Sequence, residues 1–557
     1  MKKDFPNIFE HFSYVRHDPG WGAEPVPPAP EGNFYDLVKE SVYRFPLKTA
    51  LVFMGREVTY REMDELSDRL ATALVAMGVR KGDRIAVVLP LSIQAVLAFH
   101  AVIKLGAISV PCNVMFQDNE MSYILNDSGA QTVICLDLLC PLIDRIKGRT
   151  GLRHVISVYI RDFSGPDGWV PPILTSEKQS IPGTVDFMEL LESYPPTPPA
   201  VTVNSKEDTA LIIYTAGTTG PPKGVMETHY SMINACLAQC HTVGCDHDFV
   251  NLQILPMFHI GGYYLMLHPM LYKGGTVVLM PMFDAAEYLR LIDTWKVDSL
   301  VAIPTVYIAL LGQPDLKSHD LGNLKVCIAA GAPVPSELQK RWHENTGIKL
   351  SQGWGMTECN AGAIVNLPNR SNPDSIGVPV AGEAKIVNPE TGEILPRGET
   401  GELMYRGLQV AKGYWNKPED TKETFQTDGW LHTGDACYMD EEGFIFFVDR
   451  IKDLIIASGY NISPFDVESD IMQHPAVMEV AVIGVPDEYR GETVKACVVL
   501  KEEFRGKTTE EDILEFCKEK MATYKRPRIV EFIDMLPKSA IGKVLRRKLR
   551  ERSGTEE

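Results

Sequence analysis

A short turn rich in glycine and threonine constrains this chain more than any other stretch: Tyr214-Thr215-Ala216-Gly217-Thr218-Thr219-Gly220-Pro221-Pro222-Lys223-Gly224. It follows the apolar run Ala210-Leu211-Ile212-Ile213, which reads as a buried strand. A segment of helical character from about Glu227 to Cys240 comes next. Gly217, Gly220 and Gly224 let the backbone turn tightly and approach a ligand. The hydroxyls of Thr215, Thr218 and Thr219, a run of backbone N–H groups and the Lys223 ammonium all suit phosphate oxygens. The order differs from the common Gly-Lys-Ser/Thr loop, because here the hydroxyls precede the lysine and Gly224 follows it. Read alone, the turn fits either a phosphate cradle or a structural loop.

The chain has 557 residues, more than one ordinary core holds, so two or more domains are expected. With 45% hydrophobic and 23% charged residues it is a globular sequence, not a disordered one. A net charge of −18 argues against nucleic acid or an anionic membrane as partner. No apolar run is long enough to cross a bilayer, and neither a signal peptide nor a peroxisomal or lipidation signal is expected. The 11 cysteines, scattered and odd in number, read as reduced thiols of a cytoplasmic protein. Cys236, Cys240, His241, Cys245 and His247 cluster in sequence, but without a Cys-x-x-Cys pair they read as packed helix surface before a metal site.

Apolar runs alternate with helical periodicity from Leu51 onward. Strands are expected over 83–89, 107–111, 131–136, 275–280, 299–303 and 324–330, and helices over 93–105, 285–295 and 305–311. This pattern predicts an α/β fold with doubly wound, mostly parallel sheets. Residues 1–45 read as an irregular arm and 160–205 as surface connections. Short strands and turns over 382–447 predict a small antiparallel β unit. A boundary near 449–452 divides a domain of residues 1–449 from a smaller α+β domain of residues 450–557. In the latter, strands are expected over 477–485, 495–500 and 528–533 and a helix over 510–521.

Five further segments join the opening turn in one order along the chain: Leu255-Pro256-Met257-Phe258-His259-Ile260-Gly261-Gly262, Gln352-Gly353-Trp354-Gly355-Met356-Thr357-Glu358, Gly429-Trp430-Leu431-His432-Thr433-Gly434-Asp435, Ser458-Gly459-Tyr460-Asn461-Ile462-Ser463-Pro464 and Pro537-Lys538-Ser539-Ala540-Ile541-Gly542-Lys543. Together they span most of the chain and resemble the motifs of the AMP-forming acyl-CoA synthetase and adenylation superfamily. Two departures stand out: Ala216 replaces a frequent serine, and Trp354 replaces a frequent tyrosine.

The resemblance implies roles residue by residue. Thr215, Ala216, Gly217, Thr218, Thr219, Gly220 and Lys223 would hold phosphate. Gly331, Ala332, Pro333, Gly353, Trp354, Gly355 and Met356 would form the adenine slot, with Trp354 stacking on the base. Thr357 would donate to the α-phosphate and Glu358 would ligate Mg²⁺. Asp435 and Arg450 would hold the ribose, with Lys452 as the pivot of a mobile C-terminal domain. Gly459 and Tyr460 would line the pantetheine path. Lys543 would bridge the substrate carboxylate and the α-phosphate, and His259 would border the carboxylate site. Lys543, Glu358, His259 and Thr215 are the expected catalytic set.

The implied function is ATP-dependent activation of a carboxylic acid to acyl-AMP, then transfer to CoA. ATP, Mg²⁺, CoA and a small carboxylic acid are the expected ligands, and a homodimer the expected assembly. Phe258-His259 stands where amino-acid adenylating relatives carry an aspartate, which favours a non-amino acid. Phe258, Gly262, Tyr263, Ile303, Val306 and Trp354 are expected to line an apolar acyl pocket, favouring a medium- or long-chain fatty acid. An aryl acid–CoA ligase and a ligase loading a carrier protein are the alternatives. A luciferase-like oxidative enzyme and a non-catalytic nucleotide binder are more distant readings.

Overall fold

The computed structural model describes residues 13–16, 26–27, 29–166, 168–215, 221–367, 370–457, 460–487, 489–538 and 544–553. The alternation read from the sequence becomes two large sheets. One has eight strands in the order Gly413–Tyr414, Lys223–Thr228, Thr209–Thr215, Ile108–Pro111, Arg84–Val88, Thr132–Leu136, His154–Val158 and Val185–Asp186. The last six run parallel, and the first two add on antiparallel. The other has nine: Val378–Pro379, Ala361–Val365, Ser351–Met356, Val326–Ala329, Ser299–Ala302, Val250–Gln253, Thr276–Leu279, Thr49–Phe53 and Arg56–Thr59. Its central strands, Ser351–Met356 through Thr49–Phe53, are parallel.

Burial explains the composition of these strands. Thr132–Leu136 is buried at every position, as a parallel strand covered on both faces must be. The helix Ile93–Lys104 is buried from Ile93 through Ile103 and packs against strands of both large sheets. It is therefore buried all round instead of amphipathic, with Gln94 and His100 as its buried polar residues. Ser92 starts it, its hydroxyl accepting the Ala95 N–H at 3.2 Å. One core joins the sheets, with Leu51 and Val277 from one and Ile85 and Leu211 from the other. Cys236, Cys240 and Cys245 lie in that core, where burial pushes the Cys236 and Cys240 thiols well above their usual range.

A third, antiparallel sheet of five strands forms from Tyr14–Arg16, Gly382–Val387, Gly401–Gly407, Leu431–Met439 and Ile445–Arg450. The C-terminal part has its own sheet of Tyr460–Ile462, Ile455–Ala457, Gly491–Leu500, Val477–Asp487 and Ile529–Phe532, with a core that includes Ile455, Val482, Val498 and Ile513.

Two stretches differ from expectation. The N-terminal arm contains the strand Tyr14–Arg16 and the helix Asp36–Arg44. The strand is fixed by Gly382–Val387, a partner no local pattern reveals. The stretch 160–205 contains the helix Phe187–Ser193, capped by Asp186, which buries Phe187, Leu190 and Leu191 against the helix Tyr60–Ala76. Among the described residues no helix is long and apolar enough to cross a membrane.

Candidate active site

The parallel strands of the nine-stranded sheet all end along one edge. His259 follows Val250–Gln253, Ile303 follows Ser299–Ala302, Gly331 follows Val326–Ala329, and Thr357 and Glu358 follow Ser351–Met356. This is the edge where open α/β sheets present ligand sites. Gly331, with φ of 83°, supplies a left-handed turn, and it is exposed together with Ala332 and Pro333. His259 is half-buried, its backbone N–H donating to Pro256 O at 3.1 Å.

Residues 216–220 (Ala216, Gly217, Thr218, Thr219 and Gly220) lie outside the described residues; those on either side of them are described. Thr215 and Lys223 are cross-strand partners, and the Thr215 hydroxyl donates to Lys223 O at 3.4 Å. The helix expected from Glu227 begins instead at His229, because Lys223–Thr228 is a strand. Thr228 and Ser231 then form a capping box that opens the helix His229–Val243. Lys223 forms an ion pair with Asp420, and its ammonium lies 5.2 Å from the centroid of the Tyr414 ring.

Tyr414 connects this cation to Glu358. Its hydroxyl donates to Glu358 Oε1 at 2.7 Å, and burial pushes the phenol well above its usual range, so it remains a donor. Glu358 is itself buried, at the end of a tightly folded turn. After the 3₁₀ segment Thr357–Cys359, both Asn360 (φ 55°) and Ala361 (φ 68°) are left-handed. The chain doubles back so closely that a Cβ on Gly355 would lie 2.0 Å from Ala361 O. Gly353 and Met356 complete that strand, both half-buried.

The turn is held from below. Asn360 Nδ2 donates to the Glu227 carboxyl group and to Gln409 O at 2.8 Å. Gln409 Nε2 donates to Cys359 O at 2.8 Å, and Ala411 N–H to Glu358 O at 2.9 Å. Ser231 Oγ donates to Glu227 at 3.1 Å. Burial pushes Glu227 well above the usual carboxylate range, against the lowering effect of these donors. Sequence reasoning missed Tyr414, Asp420, Glu227, Asn360 and Gln409. Only Glu227 left a signal, as a carboxylate on the inward side of a short alternating run.

The expected ribose pair is formed. Asp435 and Arg450 are cross-strand partners, with Arg450 Nε 2.8 Å from Asp435 Oδ1. Trp354 Nε1 donates to Asp435 Oδ2 at 2.7 Å. The residues expected to line the acyl pocket are drawn from several packing clusters. Tyr263 belongs to the main core, its ring 4.7 Å from that of Phe99, while Val306 lies in a second cluster and Trp354 in a third.

Past Arg450, Lys452 is an exposed residue of the 3₁₀ turn Ile451–Asp453. Arg550 reaches Asp453 at 3.0 Å. Arg546 lies 2.7 Å from Glu468 and 3.9 Å from the buried Asp449. The backbone of Tyr460 pairs with Ala457. Gly459 and Lys543 lie outside the described residues, although Leu545 N–H donates to Pro537 O at 2.7 Å across the base of the Lys543 segment.

Comparison with known proteins gives this edge its context. The family model described as AMP-binding enzyme matches residues 38–415, and that described as AMP-binding enzyme C-terminal domain matches residues 466–543. The chain belongs to the AMP-binding enzyme family. Among relatives of this AMP-binding enzyme, the long-chain-fatty-acid–CoA ligase of Bacillus subtilis is 38% identical over 538 residues, covering 94% of this chain and 95% of that protein. The crystal structure of the anthranilate CoA ligase AuaEII with anthranoyl-AMP superposes with a TM-score of 0.84 at 33% identity, covering 94% and 98% of the two chains. ATP-bound MatB from Rhodopseudomonas palustris gives a TM-score of 0.83 at 30% identity, covering 93% and 99%.

Proposed function

We propose that this AMP-binding enzyme is an AMP-forming acyl-CoA synthetase. The observation that carries the reading is 38% identity to a long-chain-fatty-acid–CoA ligase across 94% of the chain. A carboxylate oxygen of the acid attacks the α-phosphorus of ATP, and the bond to pyrophosphate breaks, giving acyl-AMP. The CoA thiolate then attacks the acyl carbonyl, and AMP leaves with the electron pair of the broken C–O bond.

Two anions must meet in the first step, so screening their charge is the main requirement. Lys223, now paired with Asp420, takes the departing pyrophosphate. Lys543 bridges the acid and the α-phosphate, Asp435 and Arg450 hold the ribose, and Thr357 reaches the α-phosphate. Glu358 fits Mg²⁺, since a single buried carboxylate with one oxygen fixed by Tyr414 matches a hard ion that takes its other ligands from phosphate and water. When bound, that ion supplies neutralisation of phosphate charge. Between the two steps residues 450–557 turn about Lys452, withdrawing Lys543 and bringing Gly459 and Tyr460 to the acyl-AMP.

The acid is a medium- or long-chain fatty acid, a reading supported by the name of the Bacillus relative. An aryl acid is the second reading, supported by the likeness to an anthranilate ligase. A panel of fatty and aryl acids, each supplied with ATP and CoA and read by AMP release, tests both. Purified protein that never exchanges labelled pyrophosphate into ATP with any acid refutes the proposal. Comparing thioester yield on CoA with that on a phosphopantetheinylated carrier separates the carrier-loading alternative.

A further inference from the structure

The ammonium of Lys223 is already engaged. It forms an ion pair with Asp420 and lies 5.2 Å from the centroid of the Tyr414 ring. A carboxylate and an aromatic face both hold a cation, as a phosphate would. The two side chains of the ion pair are 32% and 31% exposed, so a polyanion arriving from solvent meets the pair directly.

The backbone puts the carboxylate there. Asp420 lies on the helix Pro418–Thr424, which Pro418 opens. The next residue, Thr421, fastens that helix to the strand Gly413–Tyr414: its hydroxyl accepts the Tyr414 N–H at 2.9 Å and donates to Lys417 O at 2.8 Å. The fit is so close that a Cβ on Gly413, where φ is 139°, would meet Thr421 Cγ2 at 2.5 Å. The strand in turn pairs with Lys223–Thr228, Tyr414 opposite Val225, and the Trp415 N–H donates to Gly224 O at 2.7 Å. An exposed ion pair loses much of its worth to the freedom of two long side chains. Here the shorter side chain stands on a helix fastened to the strand that carries the lysine.

We infer that Asp420 is a positioning residue that competes with pyrophosphate for Lys223. The inference rests on the reading of Lys223 as the cation for the departing pyrophosphate. With the site empty, Asp420 holds the ammonium in place. The phosphates of ATP carry more charge than one carboxylate and draw the ammonium to themselves. When pyrophosphate leaves, the carboxylate stands ready to take the ammonium back. Asp420 thus weakens pyrophosphate binding and eases its release without touching the reacting atoms.

The test is calorimetric titration of magnesium pyrophosphate, and separately of AMP, into the full chain as wild type, Asp420→Asn, Asp420→Ser, Glu419→Gln and Lys223→Ala. Glu419 is exposed on the same helix, so its substitution controls for the loss of one negative charge. Both Asp420 variants are expected to bind pyrophosphate about threefold more tightly, the size of a partly exposed ion pair. AMP affinity should stay unchanged in them, and Glu419→Gln should leave both ligands close to wild type. Structural damage would weaken binding, so a selective gain separates competition from a merely structural role. If one Asp420 variant fails to fold, the other carries the test. Pyrophosphate affinity that is unchanged or weaker in a folded Asp420 variant, or raised equally by Glu419→Gln, overturns the inference alone. Lys223→Ala that binds pyrophosphate as well as wild type, or wild type that does not bind it, overturns the inference together with the reading of Lys223.

Discussion

Tyr414 serves two charged side chains at once, donating to Glu358 and lying beneath the Lys223 ammonium. Tyr414→Phe keeps the ring and removes the donor. The Mg²⁺ concentration for half-maximal pyrophosphate exchange should rise about tenfold, and calorimetric titration of ATP with Mg²⁺ present should show the same weakening, with the KM for the acid unchanged. An unaltered Mg²⁺ requirement would remove Tyr414 from the site. A second expectation concerns buried histidines. Burial pushes His229 and His268 down to about 4 and His100 well below its usual range. His268 Nδ1 donates to Tyr263 O at 2.9 Å, which leaves its Nε2 to accept from His100 Nε2 at 3.3 Å. The unfolded chain binds these protons more readily, so stability falls as pH drops from 6.5 toward 4. For one such histidine the loss is on the order of 3 kcal/mol; a thermal midpoint that stays flat from pH 7 to pH 5 contradicts this. The side chains carrying the motifs were legible in the sequence, but their partners were not. Trp354–Asp435, Tyr414–Glu358 and Asn360–Glu227 join residues 81, 56 and 133 positions apart, and only the folded chain brings them together.

At the scale of elements, the Glu358 turn depends on its approach to Gly355. A Cβ there meets Ala361 O at 2.0 Å, and the opposing atom is backbone that cannot swing aside. Gly355→Ala should lower the pyrophosphate exchange rate by more than about tenfold, because displacement of a catalytic group by about 1 Å is costly. Exchange at the wild-type rate would show that the turn tolerates the displacement. Long amphipathic elements were easy to read. The helix Ala285–Trp295 has the bounds expected, set by the Asp284 cap and the left-handed Lys296. Lys223–Thr228 was misread because its inward Glu227 resembles the first turn of a helix, when burial with Asn360 and Ser231 is what holds it in a strand. The strand Tyr14–Arg16 is defined wholly by a distant partner.

At the scale of the whole molecule, six motifs in one order made the general architecture readable. Apolar residues near one edge give no sign of which core will claim them, and Tyr263 went to Phe99 and His268. The proposed alternation between half-reactions gives paired expectations. Lys452→Pro should slow thioester formation from supplied acyl-AMP at least about tenfold while sparing pyrophosphate exchange, if closure of the small domain is what assembles the second site. Lys543→Ala should do the reverse, and equal loss in both assays would refute its assigned role. The ion pairs from the last helix bear on this motion. Arg546 and Arg550 grip Asp449 and Asp453, the acids on either side of Lys452. The helix Arg546–Arg552 is therefore held to the acids that flank Lys452, and a protein cut after residue 545 would lose both ion pairs.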